Sequence, residues 1–212
     1  PSSRALAQEL GVSRVTITFA YDQLASEGYL EGRRGSGMYV SPELPDDVLV
    51  YTLPSRYCLP DVLGDEVWRL FGDEPPGYRR VQAICDHIHG HLRFGYGSST
   101  PTTTAADAYA AGSGVCRDFA HVAITFCRAL SIPARYVFGY LPDMDVAPVA
   151  EPMDFAAWME VYLDGRWWTF DPRNNVGRKG RVVIGRGRDA ADVAMSTTFG
   201  GPWLRSMTVH AS

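Results

Sequence analysis

Between Gly114 and Ala134 apolar residues recur at three- and four-residue steps: Phe119, Val122, Ala123, Phe126 and Leu130. That period predicts an amphipathic helix with one buried face, stopped by Pro133. Residues 135–139, RYVFG, then read as a strand. Another helix is predicted over residues 78–92, where Val81, Ile84, Ile88 and Leu92 share a face. Farther along the period becomes two. Ala157, Met159, Val161 and Leu163 alternate with Ala156, Trp158, Glu160 and Tyr162. Asp164-Gly165 follows, the strongest short signal for a two-residue hairpin turn, and residues 166–171 form the return strand. The turn pairs Leu163 with Arg166, which sets Trp158 opposite Asp171. Position 156 then lies diagonal to Asp171 on the same sheet face. Residues 181–184 predict a further strand, and the apolar run 48–53 reads as strand-like.

Toward the N-terminus the pattern is different. Residues 2–10 predict a short helix with Leu6 and Leu10 on one face, and Gly11-Val12 a turn. Ser13 is a good N-cap for a helix over residues 14–28 with Val15, Ile17, Tyr21 and Leu24 among its apolar positions. Two short strands, residues 29–31 and 38–40, flank a basic, glycine-rich hairpin tip. Two helices joined by a Gly-containing turn suggest helix-turn-helix. Residues 41–47, SPELPDD, are a linker by composition.

Composition adds bounds. Hydrophobic content of 46% and charge of 21% describe an ordinary soluble globular chain of 212 residues. A net charge of −4 gives no global attraction to nucleic acid or membrane, and no apolar run is long enough for a spanning helix. The cysteines Cys58, Cys85, Cys116 and Cys127 form no CxxC pair, which argues against a zinc knuckle or a disulfide scaffold and suits a reducing cytosol. Cys116 is the chemically suggestive one. It stands at a predicted helix start behind a Gly112-Ser113-Gly114 loop, where free N–H groups and the helix dipole favour a thiolate. A pKa lowered from about 8.5 toward neutrality is expected there. A small core cysteine is the commoner fate of a free thiol; the glycine entry favours a nucleophile. His87 and His91 have helical metal-site spacing, but without an HExxH motif they read as surface histidines.

The segment PSSRALAQELGVSRVTITFAYDQLASEGYLEGRRGSGMYV resembles the winged helix-turn-helix of GntR-type bacterial transcription regulators. The resemblance implies DNA contacts by Arg4, Ser13, Arg14 and Thr16, and by Arg34 and Gly35 in the wing. Arg and hydroxyl side chains bind phosphate and base edges, and a wing glycine lets backbone approach DNA. With four Arg against four acids in this segment, DNA is expected to be a weak partner.

Four further segments, LPSRYC (53–58), GVCRDFAHVAITFCRALSIPARYVFGY (114–140), MDFAAWMEVYLDGRWWTFDPR (153–173) and GRGRDAADVAMSTTFG (185–200), resemble the bacterial branch of the transglutaminase-like superfamily over roughly residues 44–212. The resemblance implies an α+β, papain-like fold in which a cysteine-bearing helix packs on an antiparallel sheet. It assigns Cys116 as nucleophile and Asp171 as the acid that orients the base. The base itself is a histidine in Asp-Phe-His-Ala-Trp, and this chain reads Asp154-Phe155-Ala156-Ala157-Trp158. Ala156 therefore occupies the base position, and a methyl group cannot carry a proton. His121 belongs to the family pattern and reads as structural; His210 has no register argument. Two domains are expected, residues 1–41 and 42–212, in a cytoplasmic protein. Its inherited chemistry is thiol acyl transfer on a peptide or amide, impaired by Ala156, without metal or organic cofactor. The alternative is a GntR-type regulator whose second domain binds a ligand or peptide without catalysis.

Overall fold

The structure, a computed structural model, describes residues 3–26, 30–33, 37–40, 44–147, 155–194, 199–201, 203, 205 and 206. Arg34, Gly35, Asp154 and His210 lie outside these residues. The chain divides into two compact units, Pro1–Asp47 and Val48–Ser212.

In the first unit α1 (Ser3–Leu10) and α2 (Arg14–Ser26) meet at a turn where Gly11 has φ +66°, a conformation glycine takes freely. Ser13 caps α2, its Oγ accepting the Thr16 N–H at 3.1 Å. β1 (Leu30–Arg33) pairs antiparallel with β2 (Gly37–Val40). Among the residues of this unit whose side chains are described, Ala7 and Ile17 are inside, whereas Val15 is 78% and Phe19 71% exposed. Val15 cannot share a face with Ile17, because two residues turn a helix by about 200°. The apolar set expected on α2 is therefore divided between core and solvent.

The run 48–53 is helical rather than extended: α3 (Asp46–Leu49) is followed by a 3-10 turn at Val50–Thr52. Asp46 and Asp47 favour a helix start, and the carbonyls of Tyr51 and Leu53 are taken by Arg128 instead of a strand ladder. After it come α4 (Pro60–Phe71), α5 (Tyr78–His91), β3 (Arg93–Phe94), α6 (Ala105–Ala111), β4 (Ser113–Gly114), α7 (Cys116–Ala129), β5 (Ala134–Tyr140), β6 (Ala156–Leu163), β7 (Arg166–Phe170) and β8 (Val182–Gly187). The last four strands form an antiparallel sheet in the order β7-β6-β5-β8. Asp164 and Gly165 both have positive φ, as a two-residue turn of this hand requires. The hairpin has the register that the turn dictates, with Leu163 opposite Arg166 and Met159 opposite Phe170.

Helix α7 is the core of the second unit. It packs on α4, α5 and α6 and on β5 and β6. Every residue from Asp118 to Arg128 is buried, not only one face. A helix sandwiched between layers has no solvent side to keep polar. Ala157, Met159 and Val161 of β6 face this core. Ala156 and Trp158 face the other side, with Val137 and Leu141. On that side Glu160 is held between Arg135, at 2.6 Å, and Arg186, at 2.9 Å. Helices on one face of an antiparallel sheet make the unit α+β.

The buried polar group that joins most segments is Arg128, 3% exposed. Its Nε donates to Tyr51 O and Ala134 O, Nη1 to Leu53 O and Ser55 Oγ, and Nη2 to Ala134 O and Arg188 O. Replacing it strands several buried acceptors, each costing about 1–3 kcal/mol. Arg128→Leu should thus lower stability by about 3 kcal/mol or more in urea unfolding, and Arg128→Lys should recover only part, having fewer donors. A loss under about 0.5 kcal/mol for Arg128→Leu, the range of ordinary surface changes, would contradict this role.

Candidate active site

The start of α7 is fixed before Cys116 is reached. Gly112 ends α6 in the left-handed region at φ +62°. Ser113 and Gly114, read as loop from sequence, pair in parallel with Arg93 and Phe94. A Cβ on Gly114 would lie 2.6 Å from the Cβ of Asp118, so only glycine lets the strand pass this closely. The fully buried Asp118 carboxylate accepts the Val115 N–H at 2.8 Å and pairs with Arg117 at 3.0 Å. Arg117 in turn donates to Ser99 Oγ and Thr100 O. This network holds Cys116 as the first residue of the helix.

The partly buried Cys116 thiol donates to Phe155 O at 3.9 Å, and the Ala157 N–H hydrogen-bonds the sulfur. These two backbone groups flank residue 156. Groups two residues apart on a strand point the same way, so one edge of β6 presents both to the sulfur. Burial pushes the thiol pKa up, against the Arg173 charge and the N–H groups of Ala157 and Arg117, which lower it. The helix start therefore does not deliver the lowered pKa expected of it; desolvation outweighs it. Burial also pushes Cys58 and Cys127 up to about 12, and Cys85 well above its usual range.

Asp171 follows β7 and is buried. Its Oδ1 accepts the Asn174 N–H at 3.0 Å; Oδ2 accepts Asn174 Nδ2 at 2.8 Å and Arg181 Nη2 at 2.9 Å. A carboxylate has about four acceptor sites, so Oδ1 retains capacity for one more donor. The following loop is tied to α5: His89 Nδ1 donates to Arg173 O, and Gln82 and Asp86 bond Asn175. Ala156, 9% exposed, lies opposite Gly139 on β5 and packs with Trp158, while the Arg181 guanidinium sits 5.4 Å from the Trp158 ring. The structure thus places Cys116 against the backbone on either side of position 156, while the Ala156 side chain itself lies on the Trp158 side of the sheet and Asp171 comes directly after the last residue of β7. Asn174, Arg181, Arg173 and Asp118, which hold or bias these groups, were not singled out from sequence. Arg173 was signalled by its place two residues after the acid in Asp171-Pro172-Arg173; the other three had no local signal.

The other histidines have different surroundings. His121 Nε2 accepts the Ala190 N–H at 3.1 Å, and its ring stacks on Tyr57 at 5.1 Å. Burial lowers its pKa to about 3, so it stays neutral inside the core. Asp189 accepts the N–H groups of Tyr57 and Ala191, and Asp192 that of Arg188, so both hold loop backbone. His87 is not a free surface group: it meets Tyr109 OH at 3.0 Å and the Phe71 ring edge, and burial lowers its pKa. His91 is exposed and donates to Tyr109 O. In the first unit Arg4, Ser13, Arg14 and Thr16 are all exposed, and Ser13, Arg14 and Thr16 cluster at the start of α2.

Residues 68–172 match the transglutaminase-like superfamily core, and residues 1–40 match the gntR family of bacterial regulatory proteins. A solved structure from Cytophaga hutchinsonii, described as a candidate cysteine protease, matches with TM-score 0.69 and 42% identity over 75% of this chain and 53% of that one. Residues 68–172 are a transglutaminase-like core. An uncharacterized protein of Mycobacterium leprae is 37% identical over 119 residues, 55% of this chain and 42% of its own length. One of Mycobacterium tuberculosis is 34% identical over 162 residues, 72% and 46% respectively. The chain thus spans less than half the length of these relatives. The gntR-like segment is 59% identical over 44 residues to the pyridoxine biosynthesis transcriptional regulator PdxR of Corynebacterium glutamicum, 21% of this chain and 10% of that protein. No helix among the described residues is long and apolar enough to cross a membrane.

Mass-mapped iodoacetamide labelling of Cys116 should show a midpoint above the ordinary value of about 8.5, because the raised pKa keeps the thiol protonated at neutral pH. Arg173→Ala should move that midpoint further up. A midpoint at or below 7 would mean that burial does not govern the thiol.

Proposed function

We propose that the transglutaminase-like unit is a thiol acyl-transfer domain, of peptidase, amidase or transamidase type, held nearly inactive because Ala156 stands where its general base belongs. The carrying observation is that the Cys116 sulfur touches Phe155 O and the Ala157 N–H, the backbone on either side of position 156. In such chemistry the base takes the thiol proton, the thiolate attacks an amide carbonyl, and the amine leaves with a proton the base returns. Water or a second amine then releases the acyl group. Here the raised pKa leaves the thiol neutral, and an alanine can neither accept nor return the proton. Asp171, already paired with Arg181, keeps one acceptor site for an imidazole N–H. The same reading assigns residues 1–41 and 42–212 as two domains, and four free thiols suit a cytoplasmic setting.

Ala156→His should raise turnover of an activated ester or amide by about 10²–10⁴-fold, the usual worth of general-base help. Cys116→Ser in that background should abolish the gain. Wild-type turnover equal to that of Ala156→His, with Cys116 required in both, would mean that another base acts.

A second reading is favoured by the exposed cluster Arg4, Ser13, Arg14 and Thr16 and by the identity to PdxR: the chain is a DNA-binding regulator whose second domain binds a ligand without catalysis. Fluorescence anisotropy with duplex DNA at 50 and 200 mM salt should then show weak binding that falls by about tenfold or more between the two. Salt-independent binding, or none at the lower salt, would remove it.

A further inference from the structure

On the α7 side of the sheet a cleft of about 490 Å³ opens against β5 and β8. Its described lining is Phe138, Phe155, Ile184, Gly185, Val193 and Ala194, none of them charged. The cleft adjoins the thiol through shared residues. Phe155 accepts the Cys116 thiol with its carbonyl, while its ring packs on Phe138 at 4.9 Å. Phe138 lies opposite Ala157, whose N–H meets the sulfur, and on its other side opposite Gly185. The wall of the cleft and the backbone cradle of the sulfur are therefore one piece of sheet. At the mouth, Ile184 leaves 51% of its surface in solvent. Val193 backs the cleft, close enough that a Cβ on Gly185 would stand 3.0 Å from its Cγ1.

An apolar cleft of this size, linked to the thiol through Phe155, selects its ligand by hydrophobic fit, because a charged group entering it loses hydration without gaining a partner. We propose that this cleft is the acyl-side specificity subsite of Cys116, and that it receives an aromatic or branched aliphatic side chain of a peptide acyl donor. This rests on the thiol acyl-transfer reading and adds the substrate class to it.

The test uses the full chain and needs no base. Cys116 is alkylated with iodoacetyl-phenylalanine amide and with iodoacetyl-aspartate amide. In both, the sulfur displaces iodide and forms a C–S bond, and rates are followed by mass mapping. The phenylalanine probe should react about tenfold faster or more and show saturation, the scale on which an apolar pocket discriminates. Ile184→Glu at the mouth should collapse the ratio of the two rates, whereas Val62→Glu, on the exposed face of α4, should leave it unchanged. Equal rates in the wild type, or a ratio untouched by both Ile184→Glu and Val193→Asp, would overturn the subsite. So would failure of every probe to reach Cys116. The catalytic reading is judged separately by turnover of Ala156→His. A lost probe preference with intact Ala156→His turnover removes only the subsite, and a retained preference without turnover removes only the catalytic reading.

Discussion

The guanidinium of Arg128 carries a permanent charge into the core, and the carbonyls of Tyr51, Leu53, Ala134 and Arg188 converge to solvate it. A charge that cannot be neutralised by proton loss must be met by fixed dipoles. Meeting it ties the segment before α4, the first residue of β5 and the loop after β8 to the last turn of α7. Cys116 opens the same helix, about 18 Å away along its axis. With the far end anchored and every residue between Asp118 and Arg128 buried, the helix has no freedom to slide, and the position of the sulfur on β6 follows.

At the sulfur the balance of forces is different. Desolvation favours the neutral thiol, and Arg173 supplies the opposing charge. Asp171 has its own cation in Arg181, at 2.9 Å. Each member of the site is thus electrostatically settled without an imidazole. The carboxylate is not left as a buried unpaired charge, which would cost several kcal/mol, because Arg181 pairs with it at 2.9 Å.

Much of this could be read from the chain because local periods and turn chemistry carry it. Asp164-Gly165 dictated the hairpin register, which holds from Leu163 opposite Arg166 to Met159 opposite Phe170, with Asp171 just past the end of this ladder. The repeat from Phe119 to Leu130 located α7. Helices α4 and α6 went unread, although Leu63, Val67 and Phe71 have helical spacing. The failures share a cause: composition does not say what a segment is packed against. Residues 48–53 look like a strand, yet their carbonyls serve Arg128. Val15 looks like core but points away from Ile17. Cys116 has the sequence of an activated thiol, but its pKa depends on how much water the surrounding layers exclude. Arg181 and Asn174 reach Asp171 through a loop whose path no period predicts.

A crystal structure of the Ala156→His variant tests the central claim most directly, that the site is complete except for its base. The expected result is an imidazole with one nitrogen donating to Asp171 Oδ1 and the other facing Cys116 Sγ at hydrogen-bonding range, about 3–4 Å in a ligand-free site. Asp171 should keep its bond to Arg181. An imidazole turned toward Val137 and Leu141, with no nitrogen near the sulfur, would contradict it.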